Sequence, residues 1–281
     1  MKQYIGGKQV RPDSGYTLAV RGADGYVAGH VPVGSRKDVR NAVEAARAVG
    51  AKWAKQTAHG RAQVLYYVAE NLVQRRDEIV GKLGAFVGEA QAAVEFDLSV
   101  ERCFTYAAWA DKFEGSVHNP PFRMVALAMH EPVGVIGVLA GEEAPLLGLL
   151  SLILPAVAMG NSVVAVPGER GATLMGELYQ VFDTSDLPGG VVNLVAGKAL
   201  ELGKTLAEHD DVDAVWCFRD QAAGAMVEAA SVGNLKQTWA VWNAADGASR
   251  LPDWFDPAQG EGRWFLRRGT QVKNVWVPYG E

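Results

Sequence analysis

Two carboxylates, Glu142 and Glu143, stand side by side just after a continuous apolar run. Such a pair could share acid–base work or hold a divalent cation. Neighbouring residues in a turn rarely point the same way, so a solvated turn is the plainer reading. Further along, Arg219 and Asp220 follow the run Ala-Val-Trp-Cys-Phe. Arg219 could draw an anion, but no spacing joins it to the two glutamates in a motif. A cysteine nucleophile needs an exposed, electropositive setting. Cys103 instead falls on the apolar face of a helical pattern and Cys217 at the end of a β-rich run, so both read as packed thiols. Two cysteines are too few for a disulfide framework or a metal site of their own. His30, His59, His118, His130 and His209 show no ligand spacing, and His209-Asp210 reads as a structural turn before a strand.

The elements that must position these residues lie mainly between Glu131 and Trp242. Apolar, β-rich runs at 133–140, 162–166, 191–195, 213–217 and 236–242 alternate there with helical patterns. Short strands separated by helices imply a parallel sheet with crossover helices, the architecture of nucleotide-binding α/β domains. Residues 1–34 read as turns and short strands. Ser35 with Asp38 forms a capping-box pattern that opens a helix through about Lys52, apolar at Val39, Ala42, Val43, Ala46 and Val49. A helical segment from His59 to Gly84 places Val64, Leu65, Val68, Leu72 and Ile79 inward. Another, from Gly88 to Phe113, presents Val94, Leu98, Cys103, Tyr106 and Trp109 as a core-packing stripe. Asn119-Pro120-Pro121 ends the helices, and Met124–His130 alternates as an outer strand. After Trp242 a Pro/Gly/Asp-rich stretch to Gly262 reads as a linker, followed by strands at Trp264–Leu266 and Thr270–Val277.

Bulk composition narrows the function classes. With 281 residues, 49% of them hydrophobic, the chain can build one large core. A net charge of −5 argues against nucleic acid or an anionic membrane as partner. The run from Ala144 to Met159 is broken by Pro145 and Pro155 and is too short to span a bilayer, so it reads as a buried helix. The N-terminus lacks the apolar core of a signal peptide, and a reduced, cytoplasmic setting is expected.

Several blocks recur together in one order: YIGGK, VEAARA, RAQVLYYVAENL, EPVGVIGV, GNSVV, LPGGVVNLVAG, LAEHDDVDAV and NLK, with TQVKNVWVPYGE at the end. In this the chain resembles the aldehyde dehydrogenase superfamily over about residues 1–242 and its final segment. The resemblance implies a Rossmann-like NAD(P)-binding domain, a catalytic domain carrying a nucleophilic cysteine, and a β-flap that holds subunits together.

The working positions of that family are mostly altered. Its oxyanion asparagine, in a Pro-Trp-Asn-Phe-Pro turn, corresponds to Glu143 in Gly141-Glu142-Glu143-Ala144-Pro145; a carboxylate there would repel a developing oxyanion. Its ribose-binding lysine corresponds to Val166, whereas its ribose-contacting glutamate is matched by Glu169. Gly203 is kept in the helix facing the adenine, but Ala199 stands where the family usually has glycine. The pyrophosphate turn Phe-Thr-Gly-Ser becomes Cys217-Phe218-Arg219-Asp220, which puts a carboxylate at a helix start where it competes with phosphate. Val241 takes the place of the general-base glutamate. No counterpart of the Gly-Gln-x-Cys nucleophile falls between Trp242 and Trp264. The pattern is similar to the non-catalytic C-terminal module of the two-module family-16 aldehyde dehydrogenases.

This resemblance implies an α/β fold in which residues 1–115 and 131–245 form the Rossmann-like NAD-binding-type domain. Residues 116–130 and 264–281 form the β-flap oligomerisation element, and 246–263 a linker replacing the catalytic domain. It implies a pseudoenzyme without catalytic residues. Glu169 and Gly203 are the vestigial cofactor-binding residues, and NAD(P) binding is doubtful. The expected partner is a second copy, giving a homodimer, or a catalytic aldehyde dehydrogenase, engaged through the strand Thr270–Val277; no nucleic acid, membrane or metal is expected. The alternative is a degenerate NAD(P)-binding oxidoreductase subunit for aldehyde oxidation, completed by a partner chain. Trp216, Trp239, Trp242, Trp254, Trp264 and Trp276 crowd the C-terminal half, and some are expected to cover the face that a catalytic domain would otherwise bury.

Overall fold

A computed structural model describes residues 1–242 and 250–279. Two hairpins come first, β1 (Gln3–Ile5) with β2 (Lys8–Val10) and β3 (Thr17–Arg21) with β4 (Val27–Pro32). Four helices follow: α1 (Arg36–Lys55), α2 (Ala58–Val73), α3 (Arg76–Val87) and α4 (Glu89–Ala110). The capping box at the start of α1 is formed as expected, with the Ser35 hydroxyl accepting from the Lys37 and Asp38 amides and Asp38 accepting from the Ser35 amide. The segment expected from His59 to Gly84 is two helices, broken at Gln74–Arg75.

In α4 the expected stripe holds at Cys103 and Tyr106, which are buried, and at Leu98 and Trp109, which pack partly buried against the core; it fails at Val94. Val94 is exposed, and Ala92, Glu95, Phe96, Ser99, Arg102, Cys103 and Tyr106 are buried. Polar side chains also occupy core positions there, and an apolar periodicity does not register them.

The chain continues through β5 (Ser116–His118), β6 (Met124–Pro132), β7 (Val135–Leu139), α5 (Leu147–Ala158), β8 (Ser162–Val166), α6 (Glu169–Ala172) and α7 (Met175–Asp183). Then come β9 (Val192–Leu194), α8 (Ala199–Glu208), β10 (Ala214–Phe218), α9 (Gln221–Ala230) and β11 (Gln237–Val241). Last are α10 (Pro257–Gly260), α11 (Arg263–Arg268) and β12 (Thr270–Pro278). The central sheet has the order β11-β10-β7-β8-β9-β1-β2. Its first five strands are mutually parallel, and β1 joins β9 antiparallel through Tyr4 and Leu194. This is the parallel sheet that the alternating strand and helix patterns predict.

Burial on both faces accounts for the continuous apolar runs of the central strands. Ile136, Val138, Val163, Ala165, Trp216 and Phe218 face a core shared with α2, α4, α5 and α7. Their neighbours Val135, Leu139, Val164, Val166, Val215 and Cys217 face a second core under α1, α8 and α9. All twelve residues of α5 are buried, because it is enclosed by the sheet, α2, α4 and α11. Among the described residues no helix is long and apolar enough to cross a membrane.

A separate three-stranded antiparallel sheet has the order β12-β6-β5. β12 pairs with β6 along its whole length, from Thr270 opposite Pro132 to Pro278 opposite Met124. The expected strand at Trp264–Leu266 is instead part of α11: helical winding buries both Phe265 and Leu266, and this packing overrides the β-propensity of the aromatic residues. Part of the expected linker, 246–249, lies outside the described residues; 250–262 are built into the molecule, with Trp254 and Gly260 buried.

Candidate functional site

Strand order reverses between β7 and β10: the chain steps outward from β7 through β8 to β9, then returns to the other side of β7 for β10 and β11. In open α/β sheets the ligand crevice lies outside the carboxyl ends of the strands at this switch point. Here those ends carry Ala140–Glu143 after β7, Pro167–Arg170 after β8 and Arg219–Asp220 after β10. The topology thus brings together Glu142, Glu143 and Arg219, which the sequence leaves unconnected. A cavity of about 190 Å³ there is lined by Gly141, Glu142, Glu143, Arg219, Asp220 and Leu251.

Side chains span this crevice from wall to wall. The Arg219 guanidinium, largely buried, donates from Nη1 to the Ala140 carbonyl at 2.6 Å and lies 3.7 Å from Glu142 Oε1 through Nη2. Glu142 in turn accepts from the Glu169 amide at 2.7 Å and from the Arg170 amide at 3.2 Å. Glu142 is therefore an acceptor for the first turn of α6, and not the solvated turn residue expected from its neighbourhood. Asp220 caps α9, its Oδ1 accepting from the Ala223 amide at 2.9 Å. This is the carboxylate at a helix start that the sequence predicts.

The backbone is drawn equally tight. A Cβ on Gly168 would lie 2.4 Å from the Gly141 carbonyl oxygen and 2.7 Å from Glu142 Oε1. Only glycine permits that approach. A Cβ on Gly141 would lie 2.9 Å from the Phe218 carbonyl oxygen and 3.0 Å from Glu143 Oε2. On α9, the Trp242 ring stands 2.3 Å from where a Gly224 Cβ would be.

The two residues matched to cofactor contacts lie apart in role. Glu169 is exposed at the start of α6 and borders a slot of about 90 Å³ with Pro167, Ala196, Gly197 and Lys198 among its walls. Gly203 is buried within α8, where a Cβ would meet Leu139 Cδ2 at 2.3 Å and Met226 Cε at 3.2 Å. Close helix–strand packing is a sufficient reason for that glycine. Val166 is fully buried and Val241 partly so. A dinucleotide pyrophosphate needs free helix-start amides and few negative neighbours. The residues present do not fit it, because carboxylates already hold the Glu169, Arg170 and Ala223 amides and add negative charge beside them.

Neither cysteine is placed for nucleophilic work. Burial pushes the Cys103 thiol up to about 12, against a smaller opposing effect of the Arg102 charge. Burial also raises Cys217 to about 12, with Arg219 pulling the other way. Among the described residues no group of three or more His, Cys, Asp or Glu is placed to hold a metal ion. His209 serves its turn, accepting at Nδ1 from the Asp211 amide, while its carbonyl takes the Lys236 ammonium at 2.7 Å.

A buried polar stripe on α4 has no counterpart among the expectations from sequence. Glu95 Oε1 accepts from the amides of Leu146 and Leu147 at 2.7 and 3.2 Å, capping α5 from another helix. Arg102 donates to Ser151 Oγ, to the Gly260 carbonyl and, at 3.1 Å, to the Trp254 carbonyl. Its Nε also pairs with Glu261 at 2.8 Å. The spacing Glu95, Ser99, Arg102, Tyr106 is the available signal, since it runs along one helix face. Arg102 thereby fastens residues 254–261 to α4 and α5. Trp254, Trp264 and Phe265 complete an aromatic cluster with Phe218 and Trp239, ring centroids 4.2 to 6.4 Å apart. Trp276 stands outside it, exposed on β12.

Comparison with known proteins agrees with this architecture. A sequence-family model described as the aldehyde dehydrogenase family matches residues 11–243. Malonate-semialdehyde dehydrogenase 2 of Geobacillus kaustophilus is 30% identical over 258 residues, covering 90% of this chain and 53% of the relative. Retinaldehyde dehydrogenase 3 of Mus musculus is 32% identical over 215 residues, 74% of this chain and 42% of the relative. The solved structure of an NAD-dependent aldehyde dehydrogenase from Sinorhizobium meliloti superposes with a TM-score of 0.81 at 27% identity, over 86% of this chain and 50% of that one. The chain spans about half the length of the curated relatives it matches.

Proposed function

The chain belongs to the aldehyde dehydrogenase family, and from that premise we propose that it is a non-catalytic assembly module. It is a pseudoenzyme that keeps the fold and uses it to join subunits. Glu143 and Val241 stand where the resemblance puts the oxyanion donor and the general base, and neither can do that work. Both buried thiols are poor nucleophiles. Two free thiols also suit the reducing cytoplasm.

The observation that carries the assembly role is the position of β12. It is the outer strand of its sheet, nine residues long, with Val272, Trp276 and Val277 exposed. A long edge strand with apolar side chains is a template for another chain's strand. The partner is a second copy, or a catalytic family member whose sheet edge accepts β12.

Adjacent residues of an antiparallel strand point their amides to opposite edges. Of Lys273→Pro and Asn274→Pro, one therefore breaks pairing with β6, while the other leaves that pairing and blocks only the outer edge. Light scattering should find the wild type as a dimer, or in a complex with a full-length catalytic family member. The proline variant that keeps its melting temperature should be monomeric and unbound. A wild-type chain that stays monomeric alone and in that mixture would overturn the proposal.

A further inference from the structure

The crevice at the switch point is closed by the chain's own charges. We propose that Glu142 and Asp220 act as internal replacements for the phosphates of a dinucleotide, and that this occupancy excludes NAD(P) from the chain. The inference rests on the non-catalytic reading and extends it to the cofactor.

The geometry supports substitution of ligand by side chain at two separate points. Glu142 accepts the Glu169 and Arg170 amides, which have no partner within α6 because they open it. Asp220 accepts the Ala223 amide at the start of α9. Arg219, the cation lining the cavity among the described residues, is turned inward to the Ala140 carbonyl and Glu142. A phosphate entering the cavity would thus meet carboxylates where it needs donors, and like charges side by side are disfavoured. The lining points the same way: in the cavity of about 190 Å³, Arg219 faces Glu142, Glu143 and Asp220. The adjoining hollow, which shares Glu143 and Leu251 with it, is walled by Pro252, Trp254 and Phe255 and, among the described residues, offers no cation. The bridge also explains the glycine at 168: any side chain there would collide with the Gly141 carbonyl and with Glu142.

Titration calorimetry with NAD, NADP and inorganic pyrophosphate tests this on the full chain. The wild type should give no binding heat with any of the three. Glu142→Ala combined with Asp220→Ala frees the amides and the Nη2 end of Arg219, and should gain affinity for pyrophosphate by about tenfold or more. Sub-millimolar binding of NAD or NADP by the wild type overturns the proposal. So does a folded double variant that gains nothing. If the double variant does not fold, amide exchange of the single variant Glu142→Ala decides. Protection at Glu169 and Arg170 should fall about tenfold or more, because Glu142 is their acceptor; unchanged protection removes the bridge and the proposal with it. None of these readouts depends on oligomeric state, so failure here is separable from failure of the assembly role.

Discussion

Replacing Arg102 by methionine should cost the protein several times more than breaking an exposed ion pair on its surface. The guanidinium is 2% exposed and serves four partners: Ser151 Oγ, the Trp254 and Gly260 carbonyls, and the Glu261 carboxylate. Methionine keeps most of the apolar stem, so the loss is polar and not a cavity. Ser151 loses little, because its hydroxyl still donates to the Leu147 carbonyl at 2.6 Å. The two carbonyls are left without a charged donor, at about 1–3 kcal/mol each if they stay dry. Glu261 is about a quarter exposed and can turn toward water, which limits its share. Removing one partner of a buried ion pair costs about 3–5 kcal/mol, and these contributions overlap, so the expected total is about 3–5 kcal/mol. At about 2.1 cal/mol/K of unfolding entropy per residue, a chain of 281 residues has about 0.6 kcal/mol/K, so the melting temperature should fall by about 5–8 °C. Thermal and urea denaturation measure the loss, and hydrogen exchange should locate it in residues 254–266. A loose surface linker would respond by less than about 0.5 kcal/mol. A melting temperature unchanged by Arg102→Met, with exchange in that segment also unchanged, would refute the claim that Arg102 fastens the segment.

Gly203→Ala places a Cβ against Leu139 and Met226 and should destabilise by about 1–3 kcal/mol through overpacking; an unchanged melting temperature would show that close packing is not why glycine stands there. Burial raises the Glu95 pKa above its ordinary 4.5, with the Leu146 and Leu147 amides pulling against it. A carboxyl raised in the folded state stabilises most when protonated, below 4.5, and that contribution is lost as pH rises through the folded-state value. Glu95→Gln is neutral at every pH, so its urea midpoint should match the wild type in acid and exceed it at neutral pH. A neutral-pH midpoint below the wild type would show that capping by charge outweighs burial. With both thiols raised to about 12, Cys103 and Cys217 should resist alkylation in the native protein at neutral pH and react only on unfolding. Rapid native labelling of either would contradict their burial.

The sheet is legible in the sequence because its strands are buried on both faces, and runs such as Ser162–Val166 and Val192–Leu194 advertise that burial without any partner being known. The cap of α1 is legible because Ser35 and Asp38 are local. The crevice bridge is not. Glu142 acts on amides 27 and 28 residues away, and only the return of the chain to β10 brings Arg219 beside it. The stripe on α4 is hidden for a related reason: Glu95 and Arg102 look like solvent-facing residues until α5 and residues 254–261 supply their partners. α11 reads as a strand because Trp264-Phe265-Leu266 favours β structure locally and packs as a helix only against the aromatic cluster.

The central proposal is that this chain preserves the dehydrogenase fold and has lost its chemistry. The most direct test is turnover: purified chain, NAD or NADP, and a panel of aliphatic and aromatic aldehydes, followed by the ultraviolet absorbance of reduced cofactor. The predicted rate is that of the blank, for every aldehyde and with either cofactor. Reduced cofactor formed in proportion to the amount of this protein would contradict it.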